Sequence, residues 1–554
     1  MAGLPEDPAA GTGTEARTPL PGRSRFHGHE VANQPAPEGD RDLFLGDPAL
    51  AGMAAAMGGD CVHLAARGAA LGRADLRALG RAAMRNPPEL RLFDAGGRRL
   101  DEVIFHPAYH RLMAEGIGAG YAALPWEGAA GGHVSHAALV YLHSQVEPGS
   151  CCPMTMSYAA VPALMAEPRL AAAWRPMLLS RRYDPAVAPL AAKHGATLGM
   201  AMTERQGGSD LGATATRARR DGDDYRLDGH KWFCSAPMSD GFLTLAEAPG
   251  GLTCFLVPRW LDGARNGIAI ERLKDKLGNR ANASAEIVFQ DALAHRLGDE
   301  GAGLRRILTM VHHTRLDTAM APAGLMRAAL TAAHHWVSHR RAFQRRLIDQ
   351  PLMAAVLADL VLDHEAALAL GLRAARAFDA GEAPFARLAV ALAKFLNNKR
   401  CPPLVAEAME VMGGMGYVED TDLPWLYREA PLNGIWEGSG NVICLDVLRT
   451  LAREPAALAA VEAELDAVRG ADRRHDAALE AHRARWPGPP PEAEARWFVE
   501  SLATLLAHAV LIGHAPAAVA DGYGAARVQR DGGQGPGTVG GLDTRALMAR
   551  IGEG

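Results

Sequence analysis

Residues 199–210 read GMAMTERQGGSD, a short apolar strand that runs into a polar Gly-Gly loop. Glycines at this point allow backbone amides to approach a ligand closely, and the hydroxyls of Thr203 and Ser209 can donate hydrogen bonds. Such a loop suits an extended cofactor with carbonyl and phosphate oxygens. Taken alone, the segment is equally compatible with a surface turn in which Ser209 caps a helix.

Residues 197–300, which include this loop, have the sequence pattern of a β domain. Short alternating runs are separated by explicit turns. Asp228-Gly229 between 225–227 and 231–233 predicts a tight hairpin, because this pair tolerates positive φ. A second hairpin is predicted for 242–246 and 252–257 around Pro249-Gly250-Gly251, and 283–289 adds an alternating strand.

Helical patterns lie on both sides of the β domain. Residues 41–196 are rich in Ala and Leu at helical spacing, and 304–337, 352–378 and 384–412 have the length and apolar face of bundle helices within 301–450. The run WPGPPP at 486–491 interrupts a further helical unit at 451–554. Residues 1–40, which are rich in Gly, Pro and Ala, are predicted to be a disordered tail.

A second chemical segment reads IWEGSGN at 435–441. Glu437 stands between Trp436 and Gly438, so its carboxyl can lie in an apolar setting that raises its pKa toward that of a general base. The Gly-Ser-Gly loop allows the backbone to pass close to a ligand. In isolation, most glutamates in such loops are surface or capping residues.

Taken together, these segments point to one protein family more specifically than any of them does alone. MTERQGGSD at 202–210, GHKWF at 229–233 and WEGSGN at 436–441, in helix–β–helix order, resemble the acyl-CoA dehydrogenase family. Finer matches resemble its AidB-type branch, flavoproteins of the bacterial response to DNA alkylation: NQP at 33–35, NPPEL at 86–90, ERLKDKLGNR at 271–280 and ANAS at 281–284. The resemblance covers roughly residues 27 to 550 and is strongest from 195 to 450.

The resemblance implies an α+β fold: an N-terminal helical domain, a middle β-barrel or sandwich domain, and a C-terminal four-helix bundle with a helical extension. It also implies a homotetramer with FAD between the β domain and the bundle. The positions that match the family's flavin contacts are Met200, Met202, Thr203, Gly208, Ser209, Phe233, Cys234, Ser235, Ile435, Gly438, Ser439, Gly440 and Asn441.

The family removes the α-proton of an acyl thioester with a carboxylate, and Glu437 matches one of its two positions for that base. The other position falls at Thr314, which has no carboxyl group. Glu437 is therefore the predicted catalytic residue. Many family members carry an acid three positions before Arg315, where this chain has His312, so ordinary coenzyme A recognition is not expected from this helix.

The family's Arg-x-x-Phe-Gly motif, which reaches the pyrophosphate of FAD across a subunit interface, reads RRAFQ at 340–344. Arg340 is the matching cofactor contact. Gln344 replaces the glycine, so the turn after Phe343 must either differ or be strained.

AidB-like proteins are associated with double-stranded DNA, and the resemblance points to Arg449 as a contact, with Arg473 and Arg474 nearby in sequence. Residues 450–554 contain 11 Arg, no Lys and 14 acidic residues, a balance of 11 − 14 = −3. Since cationic side chains supply most non-specific affinity for DNA, this extension predicts binding only if arginines gather on one face. The alternative is a solvated helix face with interleaved ion pairs.

Composition limits the classes of protein to which this chain can belong. The net charge of −5 excludes a globally basic protein, and seven cysteines without a CxxC pair indicate a reducing cytoplasm, with no disulfide framework and no metal site. The N-terminus lacks the apolar core of a signal peptide. The apolar run 502–520 contains two histidines and Pro516, which favours a buried helix over a membrane span.

Three functions remain open at this point. One is a weak, isovaleryl-CoA-like dehydrogenase of the AidB type that passes electrons to an external acceptor and binds DNA. The second is an ordinary short-chain or branched-chain acyl-CoA dehydrogenase. The third is a flavin oxidase that acts on a nitroalkane-like compound, which also requires only a carboxylate base beside the flavin.

Overall fold

The computed structural model describes residues 31–552. Seven helices come first in the chain: α1 Pro48–Met57, α2 Cys61–Leu71, α3 Ala74–Arg85, α4 Pro107–Gly118, α5 Gly132–Ser144, α6 Cys151–Leu164 and α7 Pro168–Leu178. The Asp47 side chain caps α1 by accepting hydrogen bonds from the backbone amides of Ala49 and Leu50. This region confirms the predicted N-terminal helical domain.

One feature of this domain was not predicted. Strands β1 Glu89–Phe93 and β2 Arg99–Ile104 form a small antiparallel hairpin after α3. Pro87 and Pro88 cannot continue a helix, and the alternation of exposed and half-buried residues in β1 suits a strand on the protein surface. The expectation of a purely helical region for 41–196 is corrected accordingly.

The middle domain is built from nine strands: β3 Leu198–Ala201, β4 Arg217–Asp221, β5 Asp224–Ser235, β6 Gly241–Ala248, β7 Gly251–Pro258, β8 Trp260–Leu261, β9 Ala264–Arg265, β10 Ile268–Leu273 and β11 Ser284–Arg296. Seven of them form one sheet in the order β10-β11-β7-β6-β3-β5-β4, while β8 and β9 form a separate hairpin. Because β11 also pairs with β5, the sheet closes on itself like a barrel.

The predicted hairpin at Asp228-Gly229 is wrong. β5 runs through this point as one strand, and the reversal lies earlier, at Gly222 between β4 and β5, where φ is +66°. Gly229 has another role: a Cβ there would lie 2.7 Å from the Cα of Thr216, so the glycine permits a close backbone approach. The second predicted hairpin is confirmed as β6 and β7.

Helices return after the β domain: α8 Gly303–His339, α9 Pro351–Asp379, α10 Ala383–Met412, α11 Leu423–Glu429, α12 Gly440–Arg453, α13 Pro455–Ala467, α14 Arg473–Arg485, α15 Ala495–His514, α16 Ala517–Tyr523 and α17 Thr544–Ala549. A short hairpin, β12 Arg341–Ala342 and β13 Arg345–Arg346, separates α8 from α9. The long helices α8, α9 and α10 pack on one another, and the extension covers them through α13 and α15 on α10 and α16 and α17 on α9.

The apolar stretch of the extension lies inside the protein. The segment Glu492–His514 is long and apolar enough to cross a membrane, yet 72% of its most apolar window is buried. Residues 1–30 of the predicted tail lie outside the described residues. Residues 31–40 form no helix or strand, but Glu38 pairs with the buried Arg77 at 2.6 Å, so this part packs on the protein.

Candidate active site

Glu437 lies on the loop between α11 and α12, and three residues of the long helices hold that loop in place. The Thr314 hydroxyl of α8 donates to Glu437 Oε2 at 2.6 Å, and Arg315 Nε donates to the Glu437 carbonyl at 3.1 Å. Lys394 Nζ of α10 donates to the Gly438 carbonyl at 2.8 Å. The backbone of Glu437 is left-handed, with φ of +57°, a conformation that costs about 1–2 kcal/mol outside glycine.

The electrostatics of this loop suit a base. Burial raises the pKa of Glu437, while the Thr314 hydrogen bond and the charges of Lys394 and Arg315 partly oppose the rise. Burial lowers the pKa of Lys394 to about 7, so its charge near the carboxyl is itself sensitive to pH. A carboxyl whose pKa is raised accepts a proton more readily than an ordinary glutamate does.

The predicted flavin-contact strands reach the same place from the other side. Met200 pairs with Ser235 across β3 and β5, and Met200 and Trp436 pack in one apolar cluster with Cys152. Burial, with a smaller contribution from the charge of Glu437, raises the pKa of Cys152 to about 12, although Lys276 and hydrogen bonds with Asn282 and Ser235 oppose the rise. Trp436 of the base loop and Met200 of β3 thus belong to one apolar cluster, which brings the two halves of the predicted site together.

The side chains at this junction fit a flat aromatic cofactor. Phe233 is 45% exposed and Ile435 is 64% exposed, although both are large and apolar and belong to the predicted contact set. Ser235 is on the same face of β5 as Phe233, because side chains alternate along a strand. The site thus presents apolar surface with hydroxyl and amide groups beside it, as FAD requires.

The same alternation limits how one predicted contact, Cys234, can reach the cofactor. Cys234 is fully buried within the β core on the opposite face of β5, paired across the sheet with Ala201. Its thiol faces away from Phe233 and Ser235, so Cys234 can reach a ligand only through its backbone.

The loop at 203–210 is fixed by an ion pair that the sequence did not reveal. Glu204 accepts from Lys231 Nζ at 2.6 Å and from the amides of Ala215 and Thr216 at 2.7 and 3.1 Å. Burial alone would raise the pKa of Glu204, but these bonds lower it to about 2. Gly208 lies against Thr203, where a Cβ would come within 2.3 Å of the Thr203 hydroxyl, so the loop depends on glycine there.

The other end of the predicted cofactor site is the start of α12. Ser439 is the N-cap residue of this helix, and its side chain caps no backbone amide. Asn441 is exposed, and its Oδ1 accepts a hydrogen bond from Arg496 Nη1 of α15 at 2.8 Å. Lys399 Nζ lies 3.2 Å from the position of a Cβ on Gly440. Arg496 and Lys399 contact the predicted cofactor loop at Asn441 and Gly440, and the sequence alone did not predict them.

Arg340, the predicted pyrophosphate contact, lies far from Glu437 in the same chain. Thr314 and Arg340 are separated by the remaining length of α8, which is about 39 Å at 1.5 Å per residue. Arg340 donates to the carbonyl of Asn33 at 3.0 Å. The turn that follows keeps left-handed backbone at both Phe343 and Gln344, with φ of +50° and +65°, so replacement of glycine by Gln344 leaves the turn in place under strain.

The arginines predicted to contact DNA are on two helices. Arg449 of α12 is exposed and lies 3.7 Å from Asp446. Arg473 at the start of α14 is exposed. Arg474 is bound by the carboxylates of Asp472 and Asp521, at 2.5 and 2.9 Å, which neutralise its charge.

Comparisons with known proteins identify the domains of the chain. Residues 33–185 match the model of the adaptive response protein AidB N-terminal domain, 199–292 that of the acyl-CoA dehydrogenase middle domain, and 301–452 that of the acyl-CoA dehydrogenase C-terminal domain. The AidB protein of Escherichia coli (strain K12) is 50% identical over 463 residues, covering 81% of this chain and 85% of the relative.

Two solved structures have the same fold over most of the chain. The Bd2924 apo-form has a TM-score of 0.80 at 29% identity, covering 87% of this chain and 99% of that one. ACDH-11 of Caenorhabditis elegans, solved in complex with C11-CoA, has a TM-score of 0.80 at 27% identity, covering 96% of this chain and 93% of that one.

Proposed function

We propose a function from the premise that this chain belongs to the acyl-CoA dehydrogenase family, in the branch that carries an AidB N-terminal domain. As a member of that family it is an FAD-dependent oxidoreductase that acts on CH–CH groups. We infer that its reaction is the α,β-dehydrogenation of a short or branched acyl thioester with Glu437 as the base. The observation that carries this proposal is the Glu437 carboxyl, held by Thr314 in a strained loop whose Trp436 packs in one apolar cluster with Met200 of β3.

The chain's own groups account for the proton transfer. The Thr314 hydroxyl occupies Glu437 Oε2, so the carboxylate presents Oε1 to the Cα–H bond of the substrate. When the proton arrives, the half-buried carboxyl becomes neutral, which its raised pKa favours. FAD, when bound, supplies the acceptor for the hydride that leaves Cβ as the Cα–Cβ double bond forms. Its reoxidation requires an external electron acceptor, which we propose to be an electron-transfer protein.

The test is anaerobic visible spectroscopy of the FAD-loaded protein with isovaleryl-CoA. The flavin band of the native protein should bleach, and Glu437→Gln should slow bleaching by about a hundredfold or more while retaining FAD. Glu480→Gln, which changes an exposed glutamate of α14, is the matched control and should leave the rate unchanged. An unreduced flavin in the native protein would contradict the dehydrogenase proposal, and oxygen consumption with a nitroalkane would replace it by the oxidase.

We also propose that the protein is a homotetramer. Arg340 is too far along α8 to reach a flavin beside Glu437 of its own chain, so it can only serve a flavin held by another copy. The hairpin that follows presents Phe343 at 90% exposure, and Leu352 at the start of α9 is 82% exposed. Light scattering should give the mass of four chains, and Phe343→Ser should lower this mass.

We further propose a cytoplasmic location, which is supported by the seven cysteines, all of which are free.

A second proposed function is association with double-stranded DNA during the response to alkylation. It is supported by the match to the AidB N-terminal domain and by the exposed guanidinium groups of Arg449 and Arg473. Affinity for a DNA duplex should fall steeply as salt rises, and Arg449→Ala should weaken binding and flatten the salt dependence. Arg219→Ala is the control, because it removes one equally exposed positive charge from the β domain. Binding that is insensitive to salt would contradict this function.

A further inference from the structure

One buried lysine holds both ends of the base loop, residues 433–438. Lys394 of α10 is 2% exposed, and its Nζ donates to the Asn433 carbonyl at 3.0 Å and to the Gly438 carbonyl at 2.8 Å. In a fully extended chain, residues five positions apart are separated by about 17 Å. The two hydrogen bonds from a single nitrogen atom therefore keep the loop closed around Glu437.

The loop needs this support, because its backbone at the base is unfavourable. Glu437 has φ of +57°, and a residue with a side chain keeps this conformation where surrounding contacts hold it. Inside the loop, Trp436 Nε1 donates to Asn433 Oδ1 at 2.7 Å. The residue that Lys394 binds is thus linked to the neighbour of the base, and a shift of Asn433 is transmitted to Glu437.

The strength of this support depends on the charge of Lys394. Both hydrogen bonds that it makes within residues 31–552 go to backbone carbonyls, and neither goes to a carboxylate. Hydrogen bonds from an ammonium group are about twice as strong as those from a neutral donor. Loss of the proton leaves two weaker bonds, and it also removes a positive charge that lowers the pKa of Glu437.

The neighbours of Lys394 bring this loss of a proton close to neutral pH. Burial and the positive charges of Arg315 and Lys399 lower the pKa of Lys394 to about 7, and the charge of Glu437 opposes them. Arg315 comes from α8 and is paired with Asp446 of α12 at 2.6 Å, whereas Lys399 belongs to α10 itself. The base and the lysine are therefore a coupled pair, in which each charge stabilises the other.

We propose that Lys394 is a positioning residue that holds the base loop in its active geometry only while its ammonium group is protonated. The inference rests on the proposed function and adds a regulation by pH to the same site. Activity then requires ionised Glu437 together with protonated Lys394. Protonation of the base limits the rate in acid, and loss of the Lys394 proton limits it in alkali, so kcat/KM follows a bell-shaped curve.

The first experiment measures kcat and KM for isovaleryl-CoA against pH on the FAD-loaded full chain. In the native protein kcat/KM should fall about five- to tenfold as pH rises through about 7. Lys394→Met keeps the length of the side chain and removes the charge. It should lower kcat about tenfold below pH 7 with little change in KM, abolish the alkaline limb, and move the acidic limb to higher pH.

Two further variants separate charge from packing. Lys394→Arg stays charged because arginine is not deprotonated in proteins, so the alkaline limb should be absent and the acidic limb should stay near its native position. Arg400→Met removes another partly buried cation of α10, one that faces Glu500 and Asp363, and should leave both limbs unchanged. An alkaline limb that survives in Lys394→Met, or that is missing from the native protein, would overturn the proposal.

Hydrogen exchange measured by mass spectrometry tests the same role without a reaction. After correction for the intrinsic effect of pH, the native peptide that contains 433–438 should exchange about five- to tenfold faster above pH 7 than below it. In Lys394→Met the peptide should exchange at the faster rate on both sides of pH 7, while a peptide from α15 keeps its native rate. Native exchange of the loop that ignores pH, or exchange unaffected by Lys394→Met, would contradict the positioning role.

These outcomes are distinguishable from failure of the proposed function. If isovaleryl-CoA reduces the flavin but neither the alkaline limb nor the exchange of the loop depends on Lys394, the positioning role is wrong and the dehydrogenase stands. If no thioester reduces the flavin, the proposed function fails, and the exchange of 433–438 still decides whether Lys394 holds the loop.

Discussion

At the scale of the residue, Glu437 combines strain with support. Its left-handed backbone is unfavourable for a side-chain-bearing residue, and such conformations persist where surrounding contacts hold them. Here Thr314, Arg315 and Lys394 supply those contacts from two long helices. The Thr314 hydroxyl also favours the charged form of the carboxyl, since it donates to it.

Thr314→Val should therefore raise the pKa of Glu437 further, because burial remains and an opposing hydrogen bond is lost. Only the ionised carboxylate acts as a base, so the acidic limb of kcat/KM against pH should move to higher pH. Rates at low pH should fall while rates at high pH change little. Thr309→Val, on the exposed face of the same helix, is the matched control. An unmoved acidic limb would mean that the hydroxyl does not act on the base.

At the scale of the element, the loop after β3 depends on one buried ion pair. Lys231 of β5 is fully buried and donates both to Glu204 and to the Leu245 carbonyl of β6. The pair thus ties the cofactor loop to two neighbouring strands. Breaking a buried pair by removing one charge is costly, because the other charge stays buried without compensation.

Glu204→Gln should lower the free energy of unfolding by about 3–5 kcal/mol at neutral pH. The pKa of Glu204 in the folded protein is about 2, below the ordinary value of 4.5. The native carboxylate therefore stabilises the fold fully at pH values above 4.5. This contribution is lost as pH falls toward 2. Urea denaturation of the variant should thus differ less from the native protein in acid. Asp291→Asn, in an exposed ion pair of the same domain, should cost under about 1 kcal/mol. Equal losses in the two variants would refute the role of burial.

At the scale of the whole molecule, the extension is joined to the cofactor site. Arg496 of α15 binds Asn441, a predicted FAD contact 55 residues earlier in the chain. The extension also packs over α9 and α10, so it forms part of the core rather than a separate appendage. Residues after 454 are therefore expected to influence how FAD is held.

Arg496→Ala should weaken FAD binding about two- to tenfold, which is the effect of one hydrogen bond that is open to solvent. Fluorescence titration of the apoprotein with FAD measures this constant. Arg485→Ala removes another arginine of the extension, one that lies over Trp497 instead, and should leave the FAD constant unchanged. Unchanged affinity in Arg496→Ala would show that Asn441 needs no support from the extension.

The sequence by itself determined the order of helical and β regions and the family, and it predicted Glu437 as the base. Helical periodicity over 304–412, the hairpin at 249–251 and the spacing of the three motifs are local properties, so they can be read along the chain. The break at 486–491 was visible for the same reason, because four prolines and a glycine within six residues cannot continue a helix.

Only the tertiary structure decided which side chains share the site. Asp228-Gly229 has the composition of a turn but lies in a strand, because Thr216 requires a glycine opposite it. The register of β5 turns the Cys234 thiol into the core, so only the backbone of this predicted contact can reach the cofactor. Thr314, Lys394 and Arg496 meet their partners across 44 to 123 residues of sequence. Such contacts depend on how the helices pack, and a pattern read along one chain contains no information about that packing.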